Sequence, residues 1–406
     1  MCLDEDFTDF ISIRADRGGI RRLRRRFLTE IQLTPQQQNK FFQTRGTCRF
    51  VYNLFLAQNQ EWYKQGKKYM SAKDFSVWLN NEYIPNNPDK VWIKYVYSKA
   101  VKQSLENAHT AYTRFFRRKS KFPKFKKKGK DEPKIYFVKN HKTDCVCERH
   151  RIKIPSLGYV KLKEKGYIPI TKDGYTVSSG TIDYIAGKFY ISALVEIPDK
   201  QESNNSNEGI GIDLGIKDLA IVSDGSIYKN INKTTRVKKL EKKLKREQRK
   251  LSRKYENKKK GEVTQGKNIQ KQIAVVQKIH HKLANIRDNY IKTTVNEIVK
   301  TKPSYITIED LNVSGMMKNR HLAKAVQQQK FYQFRQMLTQ KCKENGIELR
   351  VVDRWFPSSK LCNCCGQIKK DLKLSDRIYK CSCGYTENRD FNASLNLKDA
   401  IIYEVA

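Results

Sequence analysis

Residues 209–220 read Gly-Ile-Gly-Ile-Asp-Leu-Gly-Ile-Lys-Asp-Leu-Ala, and this stretch decides the fold of the C-terminal half of the chain. Its first part, 209–214, is an apolar run that is typical of a buried strand. A second apolar run, 219–222, precedes Asp224-Gly225, a dipeptide that strongly favours the tight turn of a hairpin. The sequence therefore predicts that 209–214 and 219–222 form neighbouring strands of one sheet.

Helices and a further strand follow this hairpin. A very basic segment, 235–257, and a second segment with apolar residues three and four apart, 269–290, are separated by a glycine-containing break. The pair predicts a helical hairpin or a short coiled coil. Pro303 then precedes an apolar strand at 304–310. We predict an α/β domain from Gly209 onwards.

The N-terminal half mixes strands and helices in a different order. Residues 27–33 alternate apolar and polar side chains, which predicts a strand. Thr34 and Pro35 have the pattern of a helix start, and helical periodicity continues to about Arg118. Short alternating runs between about 134 and 198 predict a small antiparallel β-barrel or sandwich. The polar segment 199–208 is a linker candidate.

Length and charge restrict the class of protein. The 406 residues suffice for two or three domains, and the 38% of hydrophobic residues favour a globular fold over a disordered polycation. Lysine and arginine number 82 and aspartate and glutamate 42, so the formal net charge is +40. Positive charges in this excess repel one another in a compact fold unless a polyanionic partner neutralises them. Nucleic acid is the leading class, an anionic membrane surface the second, and a merely basic soluble protein the third.

Membrane and secretory classes are disfavoured. The sequence lacks an apolar run of about 18 residues, so we expect no transmembrane helix. The first residues, Met-Cys-Leu-Asp-Glu-Asp, are acidic and lack the apolar core of a secretory signal.

Three acidic residues stand where a nuclease would carry its metal ligands. Asp213 lies at the polar end of the first strand, Glu309 ends a second strand, and Asp390 begins an amphipathic helix. Hard oxygen ligands of this kind can hold Mg²⁺ ions, and two ions about 3.5–4 Å apart would assist phosphodiester hydrolysis. Each acid alone is more often structural, because acids are common at strand ends and helix starts. Asp310 is the first alternative to Glu309, and Asp218 is expected to face solvent in a turn.

Five of the ten cysteines lie within residues 362–383. Without a secretory signal, this density favours a metal over disulfides. We predict that Cys362, Cys365, Cys381 and Cys383 hold a structural Zn²⁺ and that Cys364 is not a ligand. The second pair is one residue tighter than the usual spacing. The other cysteines, including the weak Cys-x-Cys pattern at 145–147, are expected to be ordinary thiols.

Each basic segment, taken singly, is weaker evidence for nucleic-acid binding. The lysine-rich helix face at 238–253 is typical of a solvated surface. The loop 119–130 is more specific, because Phe122 and Phe125 alternate with its lysines. Aromatic rings can stack on unpaired bases while lysines contact phosphates, although Phe122 could equally pack in a core beside Pro123.

Several motifs together resemble the TnpB family, the transposon-encoded proteins related to miniature type V CRISPR effectors. They are the stretch 209–220 quoted above, Ile-Glu-Asp-Leu-Asn at 308–312, Phe-Pro-Ser-Ser-Lys-Leu-Cys at 356–362 with its following cysteine and glycine, and Asn-Arg-Asp-Phe-Asn-Ala-Ser-Leu-Asn at 388–396. Weaker matches extend towards residue 24.

The resemblance implies an α/β plus α+β multidomain fold. An RNase H-like RuvC domain would occupy 206–354 and 387–406, with its helical hairpin at 232–300. A zinc-binding insert that contacts the target nucleic acid would occupy 355–386. A wedge β-barrel would occupy 21–45 and 121–205, interrupted by a helical recognition domain at 46–120. Residues 1–20 would be a disordered extension.

The resemblance also implies the activity and the partners. The family's members bind a guide RNA, recognise a short motif in double-stranded DNA and cut beside it at one RuvC site with two Mg²⁺ ions. Asp213, Glu309 and Asp390 match the family's three metal-binding acids. We expect one protein per guide RNA, with a dimer as the open alternative, no membrane partner, and a location in the prokaryotic cytosol on the nucleoid. The nucleic-acid contacts implied by position are Tyr52, Asn53, Lys99, Lys102, Lys124, Lys126, Lys127, Lys139, Asn140 and Arg389.

Three other functions remain open at this point. A CRISPR effector of the same fold differs only in its genomic surroundings. A cleavage-deficient, RNA-guided DNA-binding repressor is disfavoured because all three acids are present. A guide-independent transposase is disfavoured by the zinc insert and the helical N-terminal part.

Overall fold

A computed structural model of the chain describes residues 13–15, 21–197, 207–256, 266–373 and 375–406. The described residues up to 197 form one compact unit, and those from 207 onwards form a second. Within these ranges no helix has the length and apolar character needed to span a bilayer. Most of the predicted linker 199–208 lies outside the described residues.

The N-terminal unit contains a curled sheet of seven strands in the order β3-β6-β7-β2-β5-β4, with β1 on the edge of β2. The strands are β1 Ile13–Ala15, β2 Arg21–Gln32, β3 Ile135–Val138, β4 Arg151–Ile154, β5 Gly158–Leu162, β6 Thr176–Ile185 and β7 Lys188–Ile197. Buried side chains of the end strands β3 and β4 share one apolar core, so the sheet wraps around that core. The predicted alternating strands are confirmed. Of the extension predicted to be disordered, only Ile13–Ala15 is described, and it is a strand.

The described part of the same unit contains four α-helices: α1 Pro35–Lys64, α2 Ala72–Trp78, α3 Ile84–Asn86 and α4 Ser98–Phe116. Helix α1 starts where predicted, because Thr34 and Gln37 form a capping box and Pro35 occupies the first turn. The helices share an apolar core rich in aromatic side chains. Helix α1 runs without a break across residue 45, where a domain boundary was predicted.

The C-terminal unit contains a six-stranded sheet in the order β10-β9-β8-β11-β12-β15. Its strands are β8 Ile210–Leu214, β9 Asp218–Val222, β10 Ile227–Lys229, β11 Tyr305–Glu309, β12 Glu348–Val352 and β15 Glu404–Val405. Strand β11 is parallel to both β8 and β12, and the remaining pairs are antiparallel. A separate hairpin consists of β13 Ile378–Lys380 and β14 Thr386–Asn388.

Within the described residues, six α-helices accompany this sheet: α5 Thr235–Glu256, α6 Lys267–Lys300, α7 Val313–Lys318, α8 Ala323–Gln329, α9 Phe331–Asn345 and α10 Arg389–Lys398. Helices α5 and α6 form the predicted hairpin around Val237, Ile279 and Leu283. The side chain of Gln272 donates to the Glu247 carboxylate at 2.9 Å across this pair. The predicted turn at Asp224-Gly225 is confirmed, with Gly225 at a φ of +90°.

One glycine sets how closely helix α10 approaches strand β8. A Cβ atom on Gly211 would lie 2.1 Å from the carbonyl oxygen of Ser394 and 2.4 Å from the amide nitrogen of Lys398. Only glycine therefore lets the helix lie directly on this strand. The contact fixes the start of α10 relative to the end of β8.

Candidate catalytic and metal-binding sites

The three predicted acids belong to elements that meet in the C-terminal unit. Ile308 of β11 lies opposite Ile212 of β8, and the next residue of each parallel strand is an acid, Glu309 and Asp213. Asp390 is the second residue of α10, the helix that lies on β8. The side chain of Asn388 caps this helix by accepting from the amide of Asp390 at 3.0 Å.

Electrostatics supports the proximity of these acids. Burial, together with the charges of Asp390 and Glu309, raises the pKa of Asp213 to about 7 against the opposing charge of Arg389. Burial, together with the neighbouring charge of Asp310, raises the pKa of Glu309 to about 7.

The side-chain carboxylates of Asp213 and Glu309 accept no hydrogen bond and form no ion pair with the residues that the structure describes. Two half-buried carboxylates that are unpartnered and repel other acids suit a divalent cation, which would supply the missing positive charge. The donor set therefore fits Mg²⁺.

Asp390 differs because arginines already contact it. Its carboxylate accepts from Arg389 at 3.1 Å, and the Arg377 guanidinium lies 3.6 Å away. Arg377 is in the segment between the cysteine pairs, and its sequence context carries no signal for this contact. Arg389 was predicted to touch nucleic acid; in this structure its side chain binds Asp390.

Asp310, the alternative to Glu309, is held in a different way. Its carboxylate pairs with Arg335 and lies 2.9 Å from Arg354. The hydrogen bond from Arg335 is the main reason that the pKa of Asp310 is lowered. The prediction of a solvent-facing Asp218 is wrong, since its side chain is 12% exposed and lies 3.6 Å from the Lys229 ammonium.

The predicted zinc cysteines form a compact cluster. The sulfur atoms of Cys362, Cys365, Cys381 and Cys383 all lie within 4.8 Å of one another. Across the described parts of the chain, this is the only set of three or more Cys, His, Asp or Glu side chains that meets this distance, so the three acids do not form such a cage. Four converging sulfurs match the donor set of a tetrahedral zinc site.

Two short turns bring these sulfurs together. Gly366 and Gly384 follow the two pairs with positive φ values of +72° and +89°, which glycine adopts without strain. The tighter second pair still brings Cys383 to 3.7 Å from Cys362, sulfur to sulfur. Cys364 is exposed and lies outside the cluster, as predicted.

The remaining described cysteines are core thiols. Cys48, Cys145, Cys147 and Cys342 are buried, and burial raises the pKa of each thiol to about 12. Such thiols stay protonated and unreactive, which fits the expectation of ordinary cysteines. Cys2 lies outside the described residues.

Two of the residues predicted to contact nucleic acid also hold the basic loop in place. Tyr52 is buried, and the Lys126 ammonium lies 4.7 Å from its ring centroid. The Asn53 side chain donates to the Lys126 carbonyl at 2.9 Å and accepts from its amide at 2.8 Å. In this structure Tyr52 and Asn53 anchor the basic loop to α1, and their contact with nucleic acid stays a prediction.

The other predicted contacts remain available at the surface. The side chains of Lys99, Lys102, Lys124, Lys127 and Asn140 are exposed, and Lys139 is half-buried. Phe122 and Phe125 are 44% and 46% exposed. Phe122 also packs edge-on against Tyr112 and Phe115, so it is a partly exposed ring and not a core residue.

Three protein families match parts of the chain. The family "Probable transposase" matches residues 192–320, the family "Cas12f1-like, TNB domain" matches 331–397, and the family "Helix-turn-helix domain" matches 23–68. In this structure the last of these ranges contains most of β2 and the single long helix α1, so it is not a pair of short helices.

Curated relatives match nearly the whole chain. A protein named "Putative RNA-guided DNA endonuclease InsQ", from Escherichia coli K12, is 31% identical over 91% of this chain and 90% of its own length. A relative from Streptomyces pristinaespiralis, described in the same words without the name InsQ, is 28% identical over 93% of this chain and 89% of its own length.

A solved structure shares the fold. The protein in the "Cryo-EM structure of the Cas12f1-sgRNA-target DNA complex" aligns with a TM-score of 0.54 and 16% sequence identity. The alignment covers 89% of this chain and 83% of that chain.

Proposed function

The chain belongs to the TnpB family of RNA-guided DNA endonucleases, and from this premise we propose that it is a transposon-encoded enzyme that cuts double-stranded DNA at a site selected by a guide RNA. One observation carries the proposal: Asp213, Glu309 and Asp390 lie on elements that meet around a parallel strand pair, and the carboxylates of Asp213 and Glu309 form no hydrogen bond or ion pair in the described structure. Acids without an ion-pair partner that lie close together at the ends of strands do not stabilise the fold, so their presence indicates a functional role.

The strand order supports an RNase H-like RuvC domain in the C-terminal unit. Three antiparallel strands, β10, β9 and β8, continue into the parallel strands β11 and β12. In this assignment, 206–354 and 387–406 form the RuvC domain and 355–386 form its zinc-binding insert. The curled sheet of the N-terminal unit would be the wedge domain, and α1 to α4 would be the recognition helices.

The roles of the three acids follow from their surroundings. Asp213, Glu309 and Asp390 would hold Mg²⁺, which when bound supplies charge for activating water and for stabilising the leaving oxygen. Asp213 and Glu309 bind cations as carboxylates, so each must first lose the proton that burial favours. Arg377 and Arg389 hold Asp390 in place at the start of α10.

The cysteine cluster would hold one structural Zn²⁺. Four thiolates fill a tetrahedral site and leave no open position for a substrate. The cluster lies just before α10, the helix that carries Asp390. Zinc would therefore stabilise the segment that leads into the catalytic helix.

The formal charge of +40 suits the proposed partners, a guide RNA and a target DNA. Base pairing between them would select the sequence, and the protein would read the backbone shape and a short motif beside the target. Exposed Lys99, Lys102, Lys124 and Lys127 are candidate contacts in the N-terminal unit. The proposed location is the prokaryotic cytosol on the nucleoid.

Reprogramming the guide tests the proposed function. The RNA that co-purifies with the protein is sequenced, and its target-pairing segment is replaced by one that matches a test plasmid carrying the adjacent motif. We expect Mg²⁺-dependent cutting of the matched plasmid and no cutting of a plasmid with a scrambled target. Equal cutting of both plasmids, or cutting by RNA-free protein, would contradict guidance. Stable binding of the matched plasmid without cutting would favour the repressor.

A further inference from the structure

A cationic surface cavity of about 310 Å³ lies in the C-terminal unit, beside the loop that follows Asp213. Its lining residues are Lys217, Asp218, Lys229, Asn230, Lys233 and Thr234. Half of this lining is lysine, and the acid, Asp218, is ion-paired with Lys229 at 3.6 Å. The cavity therefore keeps a net positive charge, which no step at the carboxylate site uses.

The cavity lies at the same end of the sheet as the carboxylates, where strands β8 and β10 both end. Asp213 of β8 lies opposite Ile221 of β9, which in turn lies opposite Ile227 of β10. Lys229 ends β10, two residues beyond Ile227, and β10 runs in the same direction as β8. Because neighbouring strands are about 4.8 Å apart, the end of β10 lies roughly 10 Å from the strand that carries Asp213.

Hydrogen bonds hold the cavity in a fixed shape. The Lys233 ammonium donates to the Lys217 carbonyl at 2.8 Å. The buried Asn230 side chain donates to the Ile216 carbonyl at 2.7 Å and accepts from the Asn232 amide at 2.9 Å. From the other side, the Gln329 side chain donates to the Gly215 carbonyl at 2.8 Å. The β8–β9 loop and the β10–α5 connection therefore form one rigid wall.

We propose that this cavity binds a backbone phosphate of the DNA strand being cut and so directs that strand across Asp213. Lysines are suitable ligands for a phosphate as point charges, and such contacts fix the position of a strand without reading its bases. Helix α5 begins next to the cavity residue Thr234 and continues the positive surface. Its exposed basic side chains include Arg236, Lys238, Lys239, Lys242, Lys243 and Lys245. This inference rests on the proposed function of the carboxylate site.

The double variant Lys229→Gln with Lys233→Gln tests the subsite in the guide-loaded complex. Its matched control is Lys300→Gln with Lys343→Gln, a pair of exposed lysines. They lie near the ends of α6 and α9, just before β11 and β12 begin, and so at the opposite end of the sheet from the carboxylates. Target binding, measured without Mg²⁺, and the single-turnover cutting rate are followed over a range of salt concentrations. We expect unchanged target binding and a cutting rate about tenfold lower, a loss of about 1.4 kcal/mol. The salt dependence of the rate should weaken by about 0.7 in log–log slope per lost phosphate contact.

The charge-conserving variant Lys229→Arg with Lys233→Arg should restore the rate. If the glutamine variant loses its cooperative thermal unfolding, Lys217→Gln replaces it, since that side chain is exposed at the cavity wall. A glutamine variant that cuts at the parent rate with the parent salt slope overturns the subsite and leaves the proposed function standing. A parent complex that binds its target and cuts nothing overturns the proposed function itself.

Discussion

The C-terminal unit holds two candidate metal sites that are built in opposite ways. The four cysteine sulfurs already converge within 4.8 Å of one another, whereas the three acids do not meet that distance. The cysteines come from two short turns that local geometry fixes. The acids come from two strands and a helix, and burial together with repulsion from the other two acids raises the pKa of Asp213.

This difference matches two uses of a metal. A closed thiolate cage leaves no open position and suits a structural ion. Separated carboxylates keep room for a phosphodiester and for water, which suits a reacting site. The cysteine site should therefore affect folding first, and the acid site should affect cutting first. An experiment that finds the opposite order at either site would contradict this difference.

The largest expected effect separates Glu309 from its neighbour. Glu309→Gln removes an unpartnered carboxylate and should lower the cutting rate by about 10³-fold, since a lost metal ligand costs several kcal/mol in the transition state. Asp310→Asn weakens the contacts to Arg335 and Arg354 and should mainly lower the midpoint of thermal unfolding. Single-turnover cutting and thermal melting are measured for both. The reverse pattern would make Asp310 the metal ligand.

The next effect concerns zinc retention. Cys365→Ser removes one sulfur of the cage and should weaken zinc binding by at least about 100-fold, with a lower unfolding midpoint. Cys364→Ser is the matched control, because that thiol is exposed and outside the cluster. Elemental analysis after dialysis against a mild chelator gives the zinc content. Equal zinc in both variants would show that the cluster is not the site.

A smaller effect tests how the fold assembles the acids. Gly211→Ala would place a methyl group 2.1 Å from the Ser394 carbonyl oxygen and push α10 away from β8. We expect a loss of about 1–3 kcal/mol in the free energy of unfolding, together with slower cutting and normal zinc content.

Gly46→Ala, inside helix α1, is the control for this glycine, since an added Cβ there meets nothing within 4 Å. Alanine favours a helix interior over glycine, so its free energy of unfolding should equal that of the parent or exceed it by up to about 1 kcal/mol. A stable, fully active Gly211→Ala protein would mean that Asp390 is not positioned through this contact.

The smallest effect is a pH dependence of stability in metal-free protein. The pKa of Asp213 is raised to about 7 in the fold, so the folded state binds a proton that the unfolded state has released. The contribution of this group to stability therefore falls as pH rises from about 4 to 7 and levels off above 7.

Asp213→Asn removes this dependence. The stability of Asp213→Asn relative to the parent should therefore increase as the pH rises from about 5 to about 8, as measured by thermal unfolding in chelator. Asp224→Asn, in the β9–β10 turn, should show no such change. A constant difference between parent and Asp213→Asn would contradict the raised pKa.

The sequence predicted much of both sites because their signals are local. Thr34 and Pro35 started α1 as expected, Asp224-Gly225 made the turn, and the acids follow apolar strands or begin a helix. The tighter spacing of Cys381 and Cys383 did not prevent the cluster, since Gly384 lets the chain turn directly after the pair. Short-range patterns of this kind depend on backbone geometry that each segment carries by itself.

Long-range partners could not be predicted from the sequence. The guanidinium groups on Asp310 come from Arg335 and Arg354, and Arg377 reaches Asp390 from the cysteine-rich insert. Tyr52 and Asn53 resembled binding residues but anchor the loop at Lys126. In each case tertiary packing chose the partner, and no spacing in the sequence records it.

The most direct test of the central claim compares binding and cutting by Asp213→Asn in the guide-loaded complex. The account predicts target binding equal to that of the parent, because base pairing selects the target, and a cutting rate lower by about 10³-fold or more. The control Asp224→Asn, the same change of acid to amide in the β9–β10 turn, should cut at the parent rate. Parent-level cutting by Asp213→Asn at equal target occupancy would contradict the account.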